Sequence, residues 1–307
     1  MTIYNICMDN KTFNISMPKA LLDAIDKQAE VEFRNRSDLI REAVRAYITQ
    51  KSGTNAADNL TASEESRIRD NLNFSDFASK PVIILSCSFR PQPNAVTDIF
   101  AAGSRVMELV ERPPKLRNMG WDLDTLDRAK PIAGNYLEVT NGKRKLLRLY
   151  RDGQHVFSAG MDFFGHGVNG DNESPNNFNL LSVAELITNF VTFSHSVSEN
   201  LEKGAHTLIF TIAVSNPKSA PHETNNKGVL GLQAYDGRGV EKAGELNLEW
   251  AERNIVIRAE GDMSPERITY LIYAEFCYFF GVRSDELWYV NNDTREINKD
   301  VFIKAGR

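Results

Sequence analysis

The sequence predicts two unlike parts: a short N-terminal β-α-α unit and, beyond a polar linker, a larger α+β domain. Three observations carry that reading. Residues 11–50 are dense in apolar positions at regular spacing. Residues 52–80 are polar and rich in Ser, Asn, Asp and Ala. From Pro81 onward, β-rich runs alternate with two amphipathic helical patterns. The expected domains are therefore 1–51, a linker over 52–80 with one short helix near Glu64–Leu72, and 81–307.

In the first unit, Thr12-Phe13-Asn14-Ile15-Ser16-Met17 alternates polar and apolar, the period-two pattern of a strand with one buried face. Pro18 suits a first helical position and ends the strand. Leu21, Leu22, Ile25 and Ala29 recur at helical spacing and predict a first helix of about three turns. Its acids, Asp23, Asp26 and Glu30, are placed so that they can face away from a partner. Residues 31–36 break the pattern and turn the chain. Ser37 is a good N-cap for a second helix, with Asp38 in its first turn and Leu39, Ile40, Ala43, Val44, Tyr47 and Ile48 as its apolar stripe.

A strand and two helices in about 40 residues cannot bury their own apolar faces. A second copy is the simplest partner. Two such strands about a two-fold axis pair antiparallel, with Thr12, Asn14 and Ser16 on the outer face. A two-stranded ribbon of that kind fits the major groove of B-DNA.

On these residues the stretch KTFNISMPKALLDAIDKQAEVEFRNRSDLIREAVRAYI resembles the ribbon-helix-helix family of Arc/MetJ-type repressors. The resemblance covers only residues 11–50. It implies a homodimer, or a higher oligomer, that binds double-stranded DNA. Base contacts fall on Thr12, Asn14 and Ser16, and a phosphate grip on Arg36, Ser37 and Asp38 at the start of the second helix. A helix N-terminus is independently a ready anion site. Lys11, Lys19, Arg34 and Arg36 supply further phosphate contacts. None of the three reading positions is Arg or Lys, so the commonest guanine contact is missing and readout leans on Asn14. The plainer alternative is a unit for dimerisation or protein capture with no DNA partner.

Charge is compatible with this. The chain carries −5 overall, but residues 1–51 hold eight basic against seven acidic groups, a net +1, which leaves −6 for the remainder. Net charge describes solubility and steering, not which face meets a partner. Three cysteines, Cys7, Cys87 and Cys277, are far apart and make no disulfide framework, which predicts a reducing, cytoplasmic setting. The opening MTIYNICMDNK lacks a secretory pattern. No apolar run approaches the ~18 residues of a membrane span, and the most apolar helical stretch, Tyr270–Val282, contains Glu275, so no membrane partner is expected.

The body reads as a mixed α+β domain of no recognised family. Val82–Leu85 is a buried strand. Leu146–Tyr150 and Gln154–Ser158 flank Arg151-Asp152-Gly153, a hairpin signal. Ser182 and Glu185 read as a capping box for a helix to about Leu201. His206–Val214 and Asn254–Ala259 are strands, and Ser264-Pro265 opens a last helix through Phe280.

Its chemistry is sparse. Gly165-His166-Gly167-Val168-Asn169-Gly170 matches a phosphate-loop pattern literally, but a turn sequence follows where a helix is needed. Asp162, His166, Asp171 and Glu173 share no helix face at ligand spacing, and His155, His195, His206 and His222 are scattered, so neither metal nor cofactor is expected. No Ser or Cys carries a nucleophile signature, Cys277 and the nearby aromatics read as core, and no enzyme is expected. The sequence thus predicts a sequence-specific DNA-binding transcriptional regulator whose body senses a small-molecule or protein effector or mediates assembly. The competing reading is a plasmid- or phage-type DNA-organising, partition or antitoxin-like protein whose body assembles dimers or captures a protein.

Overall fold

The computed structural model describes residues 17–31, 36, 37, 40, 60–72, 81–92, 104–117, 121–125, 127–141, 144–164, 177–201, 207–216, 230–235, 240–246, 250–258, 263–284, 287 and 289–305. The chain divides into two compact units, Met1–Thr54 and Asn55–Arg307. Of the predicted strand over residues 12–17 only Met17 is described, and most of the predicted second helix lies outside the described residues.

Within the first unit, α1 spans Lys19–Val31. Its first turn is closed by Leu22 N–H donating to Pro18 O at 3.1 Å, so Pro18 precedes the helix and its carbonyl accepts the first helical bond. Ala29 is buried, Leu22 and Ile25 are half-buried, and Asp23, Ala24 and Lys27 are exposed, which is the amphipathic face the spacing predicts.

The second unit runs α2 (Ala62–Leu72), β1 (Val82–Arg90), α3 (Arg105–Glu111), β2 (Lys130–Ile132), β3 (Tyr136–Asn141), β4 (Lys145–Tyr150), β5 (His155–Gly160), α4 (Met161–Phe164), β6 (Asn177–Asn179), α5 (Leu180–Asn200), β7 (Thr207–Ser215), β8 (Leu230–Tyr235), β9 (Val240–Leu246), β10 (Trp250–Arg258), α6 (Pro265–Phe279), β11 (Val290–Asn291), β12 (Glu296–Ile297) and α7 (Asp300–Ala305). Seven strands form one antiparallel sheet in the order β10-β7-β1-β5-β4-β3-β2. Three more form a smaller sheet, β6-β8-β9, in which β6 runs parallel to β8.

β1 lies at the centre and shows why the sheet is covered on both sides. Ile83, Leu85, Cys87 and Phe89 point into the main core with α5 and α6. Val82 and Ile84 point to a second cluster that contains Leu60, Ile68 and Leu72. A strand buried on both faces loses the clean polar/apolar alternation, and β1 accordingly carries Ser86 and Ser88 fully inside. Those serines are why β1 outruns the strand predicted from Val82–Leu85.

α5 is long and apolar enough to cross a membrane by length and composition. Instead, 78% of its most apolar window is buried inside this fold. At 21 residues it corrects the expectation that no apolar stretch approaches the length of a membrane span. Its start differs from the expected capping box. Asn179 is the N-cap, its Oδ1 accepting from Leu181 N (2.9 Å) and Ser182 N (3.3 Å), because β6 feeds directly into the helix three residues earlier. Glu185 is drawn instead to Arg117, which grips it through Nε and Nη2 at 2.8 and 2.7 Å.

The span read as linker contains α2, and α2 belongs to the larger unit. Thr61 and Glu64 form the reciprocal capping pair at its start, Thr61 N donating to Glu64 Oε2 (2.7 Å) and Glu64 N to Thr61 Oγ1 (3.2 Å). Ile68 is fully buried against the sheet, and Arg67 pairs with Asp152 at 2.6 Å. The Arg151-Asp152-Gly153 hairpin forms as read, with Gly153 at φ +82° and its N–H on Tyr150 O. Ser264 caps α6 as expected, though α7 follows it and ends the described fold.

Gly244 in β9 is required by close approach. A Cβ there would lie 2.3 Å from Phe280 O and 2.7 Å from Val282 Cγ2. Gly244→Ala is expected to destabilise the unit by about 1–3 kcal/mol through forced backbone shifts. Urea unfolding of the variant checks this, and an unchanged midpoint would show that the β9–α6 contact yields freely.

Candidate nucleic-acid interface

The residues proposed to read bases, Thr12, Asn14 and Ser16, lie outside the described residues, as do Lys11, Arg34 and Asp38 among the phosphate set. Lys19, Arg36 and Ser37 are described. Lys19 is exposed at the start of α1.

Arg36 and Ser37 are both helical. Ser37 therefore lies inside the second helix and does not cap it, a shift of at least one residue from the sequence reading.

Arg36 is not idle. Its Nε donates to Asp26 Oδ1 at 2.5 Å and its Nη2 to Asp26 Oδ2, a bidentate pair between the second helix and α1. The hydrogen bond and charge of Asp26 raise the Arg36 pKa further above its usual value. Asp26 thus turns toward an arginine, where the sequence placed it away from the binding side. The pair is exposed, with 48% of the Arg36 side chain and 39% of Asp26 open to solvent. A phosphate can compete for such a guanidinium, since exposed ion pairs are weak and screened by salt.

Residues 11–51 match the family of ribbon-helix-helix proteins, copG family. The N-terminal unit is thus a ribbon-helix-helix domain, a kind that typically binds DNA and forms dimers. No curated protein and no solved structure matches the chain. The remainder is an α+β region built on a large antiparallel sheet.

That region holds one arrangement the sequence did not reveal. His155 on β5 and Ser194 on α5 meet with Nε2 and Oγ 2.7 Å apart, while His155 Nδ1 lies 3.1 Å from Gly153 O. A carbonyl can only accept, so Nδ1 carries the proton and Nε2 is an acceptor for the Ser194 hydroxyl, which also has Phe190 O in reach at 2.9 Å. This is the local geometry of a nucleophile beside a base. Its surroundings are wrong for catalysis: His155, Ser194 and neighbouring Cys87 are fully buried, and Phe89, Phe190 and Phe193 pack round the imidazole. Burial drives the His155 pKa down to about 4 against the opposing bond to Gly153, and pushes the Cys87 thiol upward. The three groups are a hydrogen-bonded core contact.

Elsewhere in the body, Lys145 is buried with Asp122 at 3.1 Å, and burial lowers its pKa despite that partner. A cleft of about 420 Å³ is lined by Arg67, Asn135, Tyr136, Tyr150, Arg151 and Asp152. Arg67 there is already held by Asp152 and Gln154 and lies 4.3 Å above the Tyr150 ring. The glycine-rich loop 165–170, His166, His206, His222, Asp171 and Glu173 lie outside the described residues, as does the Asp162 side chain. Among the described residues, no three His, Cys, Asp or Glu side chains gather as a metal site requires. Cys277, Tyr273, Phe276 and Phe280 are core.

Proposed function

We propose that the protein is a dimeric, sequence-specific DNA-binding regulator that inserts a two-stranded antiparallel ribbon into the major groove. The observation that carries this is the ribbon-helix-helix match over residues 11–51. Asn14 discriminates bases, with Thr12 and Ser16 beside it. Lys11, Lys19, Arg34 and Arg36, together with the amides at Arg36, Ser37 and Asp38, hold phosphates. Arg36 leaves Asp26 for a phosphate on binding, and counterion release supplies the sequence-independent affinity. The protein acts by binding and not by catalysis, a reading supported by the walled-in state of the Ser194–His155 pair. A second role for the body, assembly of DNA-bound dimers, is favoured by the sheet edge at β10.

The test is selection of bound duplexes from a random pool with the full-length protein, followed by titrations over a range of salt. Asn14→Ala is expected to cost about 1–3 kcal/mol at one base position, whereas Arg36→Ala weakens all sequences alike and reduces the salt slope by about one. A full-length protein that leaves duplex DNA unbound at low salt overturns the reading. An unchanged sequence preference in Asn14→Ala removes the strand as reader.

A further inference from the structure

The two ends of the large sheet are treated differently. At one end, β2 is three residues long and carries Lys130 and Pro131, the usual devices that stop a sheet edge from recruiting another strand. In the small sheet, the pairing of the edge strand β9 with β8 is broken by a register shift between Leu232 and Gln233. β10, at the other end of the large sheet, has none of this. It is nine residues long, contains no proline or lysine, and pairs with β7 in unbroken register from Trp250↔Ser215 to Arg258↔Thr207. Among the described residues nothing pairs with its other side.

Two of the three charged residues on β10 are taken up nearby. Arg253 faces Glu275 of α6 at 3.9 Å and lies 5.6 Å from the Tyr278 ring, and Glu252 accepts from Trp250 Nε1 at 3.2 Å. Both are engaged within their own chain.

We propose that β10 is a self-association edge, pairing antiparallel with β10 of a second copy about a two-fold axis at Ile255. The strand's own sequence selects that register. An axis at Glu252 or Arg253 sets like charges directly opposite, which is unfavourable. An axis at Asn254 leaves Glu252 opposite Val256. An axis at Ile255 sets Glu252 opposite Arg258 twice, Asn254 opposite Val256, and Ile255 against itself at the centre. A second copy is the occupant because β10 is complementary in charge to itself when run antiparallel about Ile255, with Glu252 meeting Arg258 at both ends of the ladder. The two sheets then become one continuous sheet. This deepens the assembly role within the proposed function and does not depend on DNA contact.

Cysteine cross-linking of the full-length chain tests it, in a Cys7→Ser background that leaves only the buried Cys87 and Cys277. Under mild oxidation Ile255→Cys is expected to form a covalent dimer at least about tenfold faster than Glu252→Cys, whose mate lies six residues off, roughly 20 Å away. Mixing Glu252→Cys with Arg258→Cys restores fast cross-linking. Independently, Glu252→Arg and Arg258→Glu each weaken association measured by sedimentation, and the double swap restores it. Ile255→Cys reacting no faster than Glu252→Cys, or a double swap that rescues nothing, overturns the proposal. Duplex binding measured on the same samples separates the two readings. Binding kept without cross-linking sinks only the edge, and cross-linking kept without binding sinks only the DNA assignment.

Discussion

Arg90→Ala is expected to destabilise the larger unit by about 3–5 kcal/mol, because it strands a carboxylate inside the fold. Arg90, at the end of β1, holds Glu64 of α2 through Nη1–Oε1 at 2.8 Å and Nη2–Oε2 at 2.6 Å. Glu64 is 1% exposed and Arg90 12%. Burial alone would push the Glu64 carboxyl up. The hydrogen bonds from Arg90 and the Thr61 amide outweigh it and bring the pKa down to about 2. Without Arg90 the burial cost remains, opposed by the Thr61 amide and a long bond from Gln92 Nε2 to Oε1 at 3.4 Å. Urea unfolding near neutral pH measures the loss, and the midpoint should fall without a change in slope. The double variant Arg90→Met with Glu64→Gln should lose much less than Arg90→Ala, since removing both charges removes the stranded one. A loss below about 1 kcal/mol in Arg90→Ala would show that water reaches Glu64 and that the pair ranks with surface ion pairs.

What could be read in the chain depended on how local each signal is. The ribbon-helix-helix signature is contiguous: Pro18, the Leu22, Ile25, Ala29 spacing and the turn into Arg36-Ser37 are all within reach of one another, and the family match falls on the same residues. The Arg151-Asp152-Gly153 hairpin and the Ser264 cap are local too, and both form as read. Strand boundaries failed where burial on both faces lets polar residues inside, as at Ser86 and Ser88. β10 starts at Trp250, earlier than Asn254, because Glu252 and Arg253 are half-buried strand residues whose charges have partners nearby. The pairings that matter most to the body are distant in sequence. Glu64 and Arg90 are 26 residues apart, and His155 and Ser194 are 39 apart. Nothing in spacing or composition brings such residues together, and the sheet order that does so, with β1 between β5 and β7, is a crossover that no local pattern encodes.

The buried histidine makes the second large effect one of pH. His155 has a folded pKa of about 4 against 6.5 for an unhindered imidazole, because burial among phenylalanines penalises the cation. Above pH 6.5 both folded and unfolded chains are neutral at this position, and stability does not depend on it. As pH falls from 6.5 to 4 the unfolded chain takes up the proton and the folded chain refuses it. Stability should therefore fall by about 1.4 kcal/mol per pH unit, roughly 3 kcal/mol over the window. Glu64 adds its own loss below, as pH drops from 4.5 toward 2, so the two windows meet in one continuous acid limb. Unfolding by urea at half-unit pH steps maps it. His155→Phe sits among the same rings and cannot titrate. Whatever it costs at neutral pH, its stability should be flat between 6.5 and 4.5 where the parent slopes. A parent curve already flat in that window, or a variant that keeps the slope, would place the proton uptake on another group and leave the Ser194–His155 contact without a role in acid sensitivity.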